Sequence, residues 1–504
     1  MKYFVHLFLV VLASMCSSLA SAQTFTLKGV TFGDSMYLEE EELQAAAAPY
    51  LNRPIRFEDV QQMLADVNRL YAASGIPTAE AVLLPQEVPD GILKIDLIEA
   101  TIGAVTVAGP TRASEGFVRR NVSLREGERP DYAQLERDLR IFGIAHDYVP
   151  TLTFGLGAAS GTVDAIIGGE APEGLSWTAS LDNFGTEETG RSRVGISARW
   201  SNVTGVRDAL SMQLLLSEGS GALSLGYSRP FGGWQGGRIF GTAYVTNADV
   251  IQASFAPLDI LSDTIQFSTG YRVPFRVRPD SHFIFEAVVT RESTDSSILG
   301  LLLQSTVITE FAPQISWQKQ WPRQNLASSL GFKLGSADTQ AVSGTEGTYG
   351  LLFAAADYAR LLSDDWVLNL SASMQYAKGQ NLPVARLLSA GGVSTVRGYP
   401  NNVRSGDSGI ILRTQPERRT PWTVGQRTEL FPFGFFDAAL VVPFRIDGSV
   451  NSDQDVLASI GAGLRANMGG KVNGLLMVGV PLRETLGFDD VGRASVFAGL
   501  DYRF

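Results

Sequence analysis

Two short strings in this chain could carry nucleophilic chemistry: Gly33-Asp34-Ser35, as in some esterases, and Gly406-Asp407-Ser408-Gly409, as around the nucleophile of some serine proteases. A serine attacks only when a base takes its proton, and in both classes the base is histidine. Beyond the N-terminal leader the chain keeps only His146 and His282, and neither has the aspartate three residues before it that the esterase class needs. Catalysis is not expected. Nor is thiol chemistry, because the single cysteine, Cys16, lies in the leader. No nucleotide or metal motif is visible, so no cofactor is expected. What remains is one arginine among glycines, in Leu387-Leu388-Ser389-Ala390-Gly391-Gly392-Val393-Ser394-Thr395-Val396-Arg397-Gly398-Tyr399-Pro400. Glycines at 391, 392 and 398 let a backbone fold back tightly, so the stretch reads as a hairpin-like excursion with Arg397 at its tip. Such a cation seeks a carboxylate, which an arginine holds by both oxygens.

The elements that must position this loop follow from composition. The chain has 504 residues, 52 of them glycine, and is 45% hydrophobic, which suits a large β structure. Met1-Lys2, the apolar run from Phe4 to Ala13 and Ala20-Ser21-Ala22 before Gln23 have the layout of a secretory signal, with Gln23 as the mature start. A lipoprotein signal using Cys16 is the rival, disfavoured by Met15 before it. No later run of about twenty apolar residues suggests a membrane helix, so a membrane protein would have to be a barrel. The net charge of −11 argues against a nucleic-acid binder, which needs a basic face.

From Phe25 the chain alternates briefly (Phe25, Leu27, Val30, Phe32), then turns helical behind the acids Glu39 to Glu42 as far as Tyr50. A second helix is expected over Phe57 to Ala73, with Val60, Met63, Leu64, Val67, Leu70 and Tyr71 on one face and Gly75 ending it. Strands over 79–84 and 91–98 follow, joined through Pro85 and Pro89-Asp90-Gly91. The order β-α-α-β-β then recurs: strand 102–108, helices 115–122 and 132–144, strands 151–156 and 162–167. Two copies of one small α+β module is the economical reading.

From residue 172 the pattern changes. Leu175, Trp177, Ala179 and Leu181 alternate with polar residues, as do Val194, Ile196, Ala198 and Trp200; Leu210 to Leu216; Trp366 to Tyr376; and Val496, Ala498, Leu500, Tyr502 and Phe504. Strands of about nine to eleven residues with one lipid face and one water face define a transmembrane barrel. A soluble β-sandwich would also alternate, but a signal sequence and a strand ending on the last residue favour the barrel. About 330 residues at about twenty per strand and turn give sixteen strands, with fourteen or eighteen as neighbours.

Val396-Arg397-Gly398-Tyr399, behind its Gly-Gly pair, resembles the signature of the loop folded back into the pore of polypeptide-transporting outer-membrane barrels. The nearest pattern is that of two-partner secretion transporters of the haemolysin-activator and filamentous-haemagglutinin-exporter type. The N-terminal units resemble polypeptide-transport-associated (POTRA) repeats through Tyr71-Ala72-Ala73-Ser74-Gly75, Leu84-Pro85-Gln86 and Gly91-Ile92-Leu93 to Glu99. The barrel adds Leu181-Asp182-Asn183-Phe184-Gly185 with Thr189-Gly190, Tyr227-Ser228-Arg229-Pro230-Phe231, Leu457 to Arg465, and Gly479-Val480-Pro481-Leu482. Gly406-Asp407-Ser408-Gly409 then reads as the return from the loop into the next strand.

The resemblance implies an all-β transmembrane barrel behind two small α+β POTRA modules: signal 1–22, modules 23–99 and 100–171, barrel 172–504. It implies residence in the outer membrane with the modules in the periplasm. The expected function is to secrete an unfolded partner, a large β-helical exoprotein, through the pore. Other expected partners are outer-membrane lipid and the barrel assembly machinery, which would read the terminal Leu500, Tyr502 and Phe504. In the family the arginine's partner lies in a strand written Phe-x-Asp-x-Gly. Asp437 in Phe435-Phe436-Asp437-Ala438-Ala439 fits, with Ala439 where glycine is usual, and its distance to Leu457-Ala458-Ser459 suits it. Asp447 in Phe444-Arg445-Ile446-Asp447-Gly448 is the alternative, shifted by one and so turned to the other face. Relatives often carry a plug helix before the first module; only Gln23 and Thr24 precede the first strand here, so no plug is expected. An insertase of the same superfamily would have more modules, and a passive porin none.

Overall fold

The computed structural model describes residues 24–504 apart from 89, 110–111, 173, 233–235, 342–346, 378–380, 426, 445–454 and 486–487. The first compact unit is built on the helix Phe57–Ala73, which buries Val60, Met63, Val67 and Tyr71. Asp59 accepts a hydrogen bond from the Arg56 backbone N–H (2.8 Å) to start it, and Gly75, at φ +73°, ends it. A shorter helix, Glu40–Ala47, carries Glu40, Glu41 and Glu42 in its first turn, where the helix dipole favours acids, and buries Leu43 and Ala47. Both helices face a sheet in which Ile92–Glu99 is central, parallel to Gly29–Phe32 and antiparallel to Ala79–Val82. The alternating run from Phe25 to Phe32 is not one strand. Phe25–Leu27 pairs with Arg53–Ile55 in a separate two-stranded sheet, because Lys28 turns the chain so that its N–H bonds Gly91 O (2.7 Å).

Glu99 is the polar hub of this unit. Its side chain is fully buried and receives the Ser35 hydroxyl (2.5 Å), the Met36 N–H (2.9 Å), the Tyr71 hydroxyl (3.0 Å) and the Arg129 guanidinium (3.1 Å). Buried charge persists only with such partners. Ser35 Oγ also accepts the Leu38 N–H (2.9 Å), so the esterase-like string is a turn that ties the chain to Glu99.

The second copy of the pattern is present. Thr101–Val107 runs parallel to Thr162–Gly168, which sits between it and Thr151–Leu156, and the helices are Glu115–Arg120 and Tyr132–Ala145. The compact unit of the barrel takes in residues 108–122 and 136–151 as well as 168–504. Within it Arg207 pairs with Asp147, and Arg238 donates to His146 Nδ1 (3.1 Å) and to Ala145 O (3.2 Å). Burial, followed by the neighbouring Arg238, pushes His146 down to about 3, so it is a neutral packing residue beside Phe142 and Phe117.

Sixteen antiparallel strands of the described chain, from Leu175–Asp182 to Ser495–Arg503, close into a barrel, the twelfth being Ser408–Arg418 continued by Trp422–Val424. Closure leaves no free edge, as a sheet in lipid requires. Leu175, Trp177, Leu181, Val194, Ile196, Trp200, Val496 and Leu500 are exposed on the outer face. Eight of the strands are longer than the expected nine to eleven residues, the longest being Ile260–Phe275, Ser281–Ile298, Leu301–Trp321 and Gln324–Ala341 with 16, 18, 21 and 18. The tight turn at Leu299-Gly300, both at positive φ, lets one of these ladders run on without a loop. The last strand ends at Arg503, one residue short of the terminus, and Phe504 N–H still bonds Trp177 O (3.2 Å).

The ring closes through five residue pairs, from Gly499↔Asp182 to Arg503↔Thr178. Beyond them Asn183 prolongs the ladder with its side chain: Nδ2 donates to Val496 O (3.0 Å) and Oδ1 accepts the Ala498 N–H (2.8 Å).

Candidate functional site

Between the strands Trp366–Tyr376 and Ser408–Arg418 the chain leaves the wall. It forms a short 3-10 turn, Val384–Arg386, and then a hairpin in which Leu388–Ala390 pairs with Arg404–Gly406. Gly391, Gly392 and Gly398 all have positive φ. At Gly392 any Cβ would collide with the Asn401 side chain, and Thr395 Oγ1 bonds both the N–H and the C=O of Gly391, so the tip is a closed knot.

The tip lies against the inner face of the wall. Val396 and Tyr399 are fully buried among Ile411, Ala439, Val441 and Leu457, all inward-facing strand residues. Ala439, standing where glycine was expected, contributes its methyl group to this contact. The Tyr399 hydroxyl has the carbonyl oxygens of Arg483 (2.8 Å) and Ala458 (3.0 Å) within reach of its single proton, and Asn401 donates to Phe184 O (2.8 Å) and Gly185 O (3.0 Å). Gly398 packs on Gly479. These contacts give a reason for the Phe184-Gly185 and Gly479-Val480 motifs that sequence alone did not supply.

Arg397 is 2% exposed and Asp437 not at all. Nε of Arg397 donates to Asp437 Oδ2 (2.7 Å) and NH2 to Oδ1 (2.7 Å), while the Arg397 backbone N–H adds a third bond to Oδ2 (3.1 Å). The guanidinium lies 3.8 Å from the centroid of the Phe435 ring, a cation–π contact. Asp437 and Phe435 are two apart on Thr428–Val442 and so share its inner face. The remaining guanidinium nitrogen donates to Gln415 Oε1 (2.6 Å), Gln415 donates to Glu417 (2.9 Å), and Arg465 holds both Glu417 oxygens (3.0 Å each). Arg413, Gln415 and Glu417 alternate along one strand, and Arg413 donates to Ser394 O (2.9 Å). The motif residue heads a chain of polar and charged groups along the wall. Asp447 lies outside the described residues.

The loop has further ties that were not foreseen. Arg404 pairs with the fully buried Asp455 (2.5 Å). Asp407 accepts the backbone N–H groups of Leu382 and Phe444, each at 2.6 Å, so Gly406-Asp407-Ser408-Gly409 clasps the base of the excursion. The signal for Asp455 was only a carboxylate near a loop end, which many solvated acids share. Leu500 and Tyr502 are exposed on the outer face of the last strand, and Phe504 follows it, its ring 4.8 Å edge-on to Tyr502.

Residues 166–466 match the haemolysin secretion/activation protein family ShlB/FhaC/HecB, and residues 25–100 match the ShlB-type POTRA domain. The chain is 24% identical over 421 residues to the outer membrane transporter CdiB of Dickeya dadantii, covering 78% of this chain and 72% of that one. It is 23% identical over 506 residues to the heme/hemopexin transporter protein HuxB of Haemophilus influenzae, covering 92% and 84%. Among solved structures, CdiB from Escherichia coli superposes with TM-score 0.72 at 17% identity, covering 97% of this chain and 92% of that one. CdiB from Acinetobacter baumannii gives 0.66 at 15%, covering 96% and 91%. A match to more than half the chain, over a barrel with an arginine loop in its lumen, decides the matter: the chain belongs to the ShlB/FhaC/HecB family of two-partner secretion transporters of the outer membrane.

Proposed function

We propose that this transporter takes up its partner as an added strand on the first module and passes it through the barrel past the Arg397 loop, with modules at 23–99 and 100–171 and the barrel from 172. The observation that carries the docking step is Gln86. Its side-chain amide donates to Lys94 O (2.6 Å) and accepts the Lys94 N–H (2.9 Å), occupying the edge of Ile92–Glu99 where Ala79–Val82 has ended. A side-chain amide imitates a peptide, so an incoming strand can replace it bond for bond. Main-chain pairing of this kind tolerates many client sequences. Beside it lies a groove of about 890 Å³ lined by Phe57, Leu84, Pro85, Val88 and Leu93, with Phe57 and Leu84 exposed, which suits the apolar side chains of such a strand.

The loop is the second element. Anchored by Arg397 on Asp437, it occupies the lumen and narrows it, and the partner's folding outside supplies the drive. Such a partner is a large exoprotein of β-helical type. Comparing culture supernatants with and without the transporter identifies it. Phe57→Asp and Leu84→Asp in the full-length protein are then expected to stop its release while the folded barrel persists in the membrane; undiminished release from both variants would remove the groove from the pathway.

A further inference from the structure

The loop meets the wall in two sectors, and the Arg397 motif accounts for one. In the other, Arg386, the last residue of the turn Val384–Arg386, is buried between two carboxylates. Its Nε donates to Glu310 Oε2 (2.8 Å) and its NH1 to Glu292 Oε2 (3.1 Å). The Tyr349 hydroxyl donates to the same Glu310 oxygen (2.8 Å), and Lys333 Nζ stands 3.3 Å from the other. These groups come from four neighbouring strands, Ser281–Ile298, Leu301–Trp321, Gln324–Ala341 and Gly347–Leu361. Trp366–Tyr376 and Ser408–Arg418 separate this sector from the strand of Asp437. Leu382 and Ala377 of the loop are buried on it among Ile308, Ala337 and Leu351.

Two buried acids on adjacent strands repel unless cations meet them. Lys333 neutralises one, and the second cation comes from the loop, so the wall here is shaped to receive Arg386. The two anchors differ in grip. At the tip a bidentate pair, a backbone bond, an aromatic ring and a backbone-on-backbone contact act together. At Arg386 each carboxylate takes a single bond from the guanidinium. We infer that Arg386 is a positioning residue for export: it latches the rising limb of the loop to Glu310 and Glu292, and this latch releases during passage while Arg397 stays seated as the pivot. The inference rests on the reading of the loop as the element that narrows the lumen.

The experiment combines planar-bilayer recordings with cysteine labelling on intact cells, using Leu382→Cys in a mature chain that otherwise lacks cysteine. Arg386→Gln and Glu310→Gln are each expected to raise the open fraction of the channel several-fold and to raise labelling of position 382 by an impermeant maleimide to a similar extent. Arg386→Lys, which keeps a cation between Glu310 and Glu292, is expected to change both readouts less than Arg386→Gln does. Arg397→Ala is the comparator. A change with Arg397→Ala but none with Arg386→Gln overturns the latch and leaves the loop reading standing; no change with either overturns the loop reading itself. If Arg386→Gln does not assemble, Glu292→Gln, which keeps the Glu310 pair, is expected to give a smaller rise in the same direction, and no rise there also overturns the latch.

Discussion

Gly398 at the loop tip and Gly479 on the strand Val472–Pro481 lie backbone against backbone, so close that a Cβ on Gly479 would stand 2.8 Å from the Gly398 nitrogen. The contact involves main chain on both sides, and no rotamer can relieve it. Gly479→Ala is therefore expected to lift the tip off the wall. Export should fall while heat-modifiable barrel is made in normal amount, and the loop should become cleavable by external protease. Unaltered export would show that the wall shifts to accept the methyl group.

Arg397 and Asp437 form a pair that neither can leave without stranding the other. Removing one partner of a buried ion pair costs about 3–5 kcal/mol. Arg397→Ala and Asp437→Ala are each expected to impair secretion with the protein still in the membrane. The double substitution should be little worse than either, because coupled residues are not additive. Asp447→Ala should leave secretion intact; the opposite pattern would make Asp447 the partner.

The legible parts of this chain are those with a period. The helix Phe57–Ala73 was readable end to end because its apolar face repeats at helical spacing and Gly75 stops it. Strands such as Trp366–Tyr376 were readable because their faces alternate. Arg397 stood out as a cation among glycines. Glu292 and Glu310 did not stand out, because an acid on the inner face of a barrel strand looks like any water-facing residue until its partner, far along the chain, is placed beside it. Gln86 belonged to a recognisable string, yet its task of imitating a peptide is visible only once Lys94 is opposite. The split of the run from Phe25 to Phe32 escaped because three-residue strands carry too few side chains for a pattern.

Acid should loosen the first module through Asp66. The Tyr50 hydroxyl bonds Asp66 Oδ2 (2.6 Å), and this bond chiefly, aided by Gln62 and Arg69, holds the carboxyl below its ordinary value. Its contribution is present above the ordinary carboxylate range and is lost as pH falls through the lowered folded value. Tyr50 is pushed up to about 12 by burial and then by Asp66, so its contribution is present below the ordinary tyrosine value and is lost as pH rises through the folded one. Urea melts of a fragment spanning both modules, followed by circular dichroism, should show both declines. Tyr50→Phe should flatten them by under about 1 kcal/mol, the range of solvent-screened pairs; an unchanged pH profile would count against this pair.

Deleting Phe504 should lower the amount of folded, heat-modifiable barrel. The residue supplies the terminal aromatic and also bonds the first strand at Trp177. Normal yields from the deletion strain would mean that neither matters for assembly.

The join between Ser495–Arg503 and Leu175–Asp182 has five residue pairs, against eight between Leu175–Asp182 and its other neighbour, Arg193–Ser201. A closed ring ruptures where the fewest bonds must break together. Heat or denaturant should therefore unzip this barrel at the meeting of its first and last strands, with amide exchange fastest there and slowest across the long ladder of Ser281–Ile298 with Leu301–Trp321. Asn183 then acts as a rivet at the end of a short weld, and Asn183→Ala should lower the rupture temperature without touching the lumen.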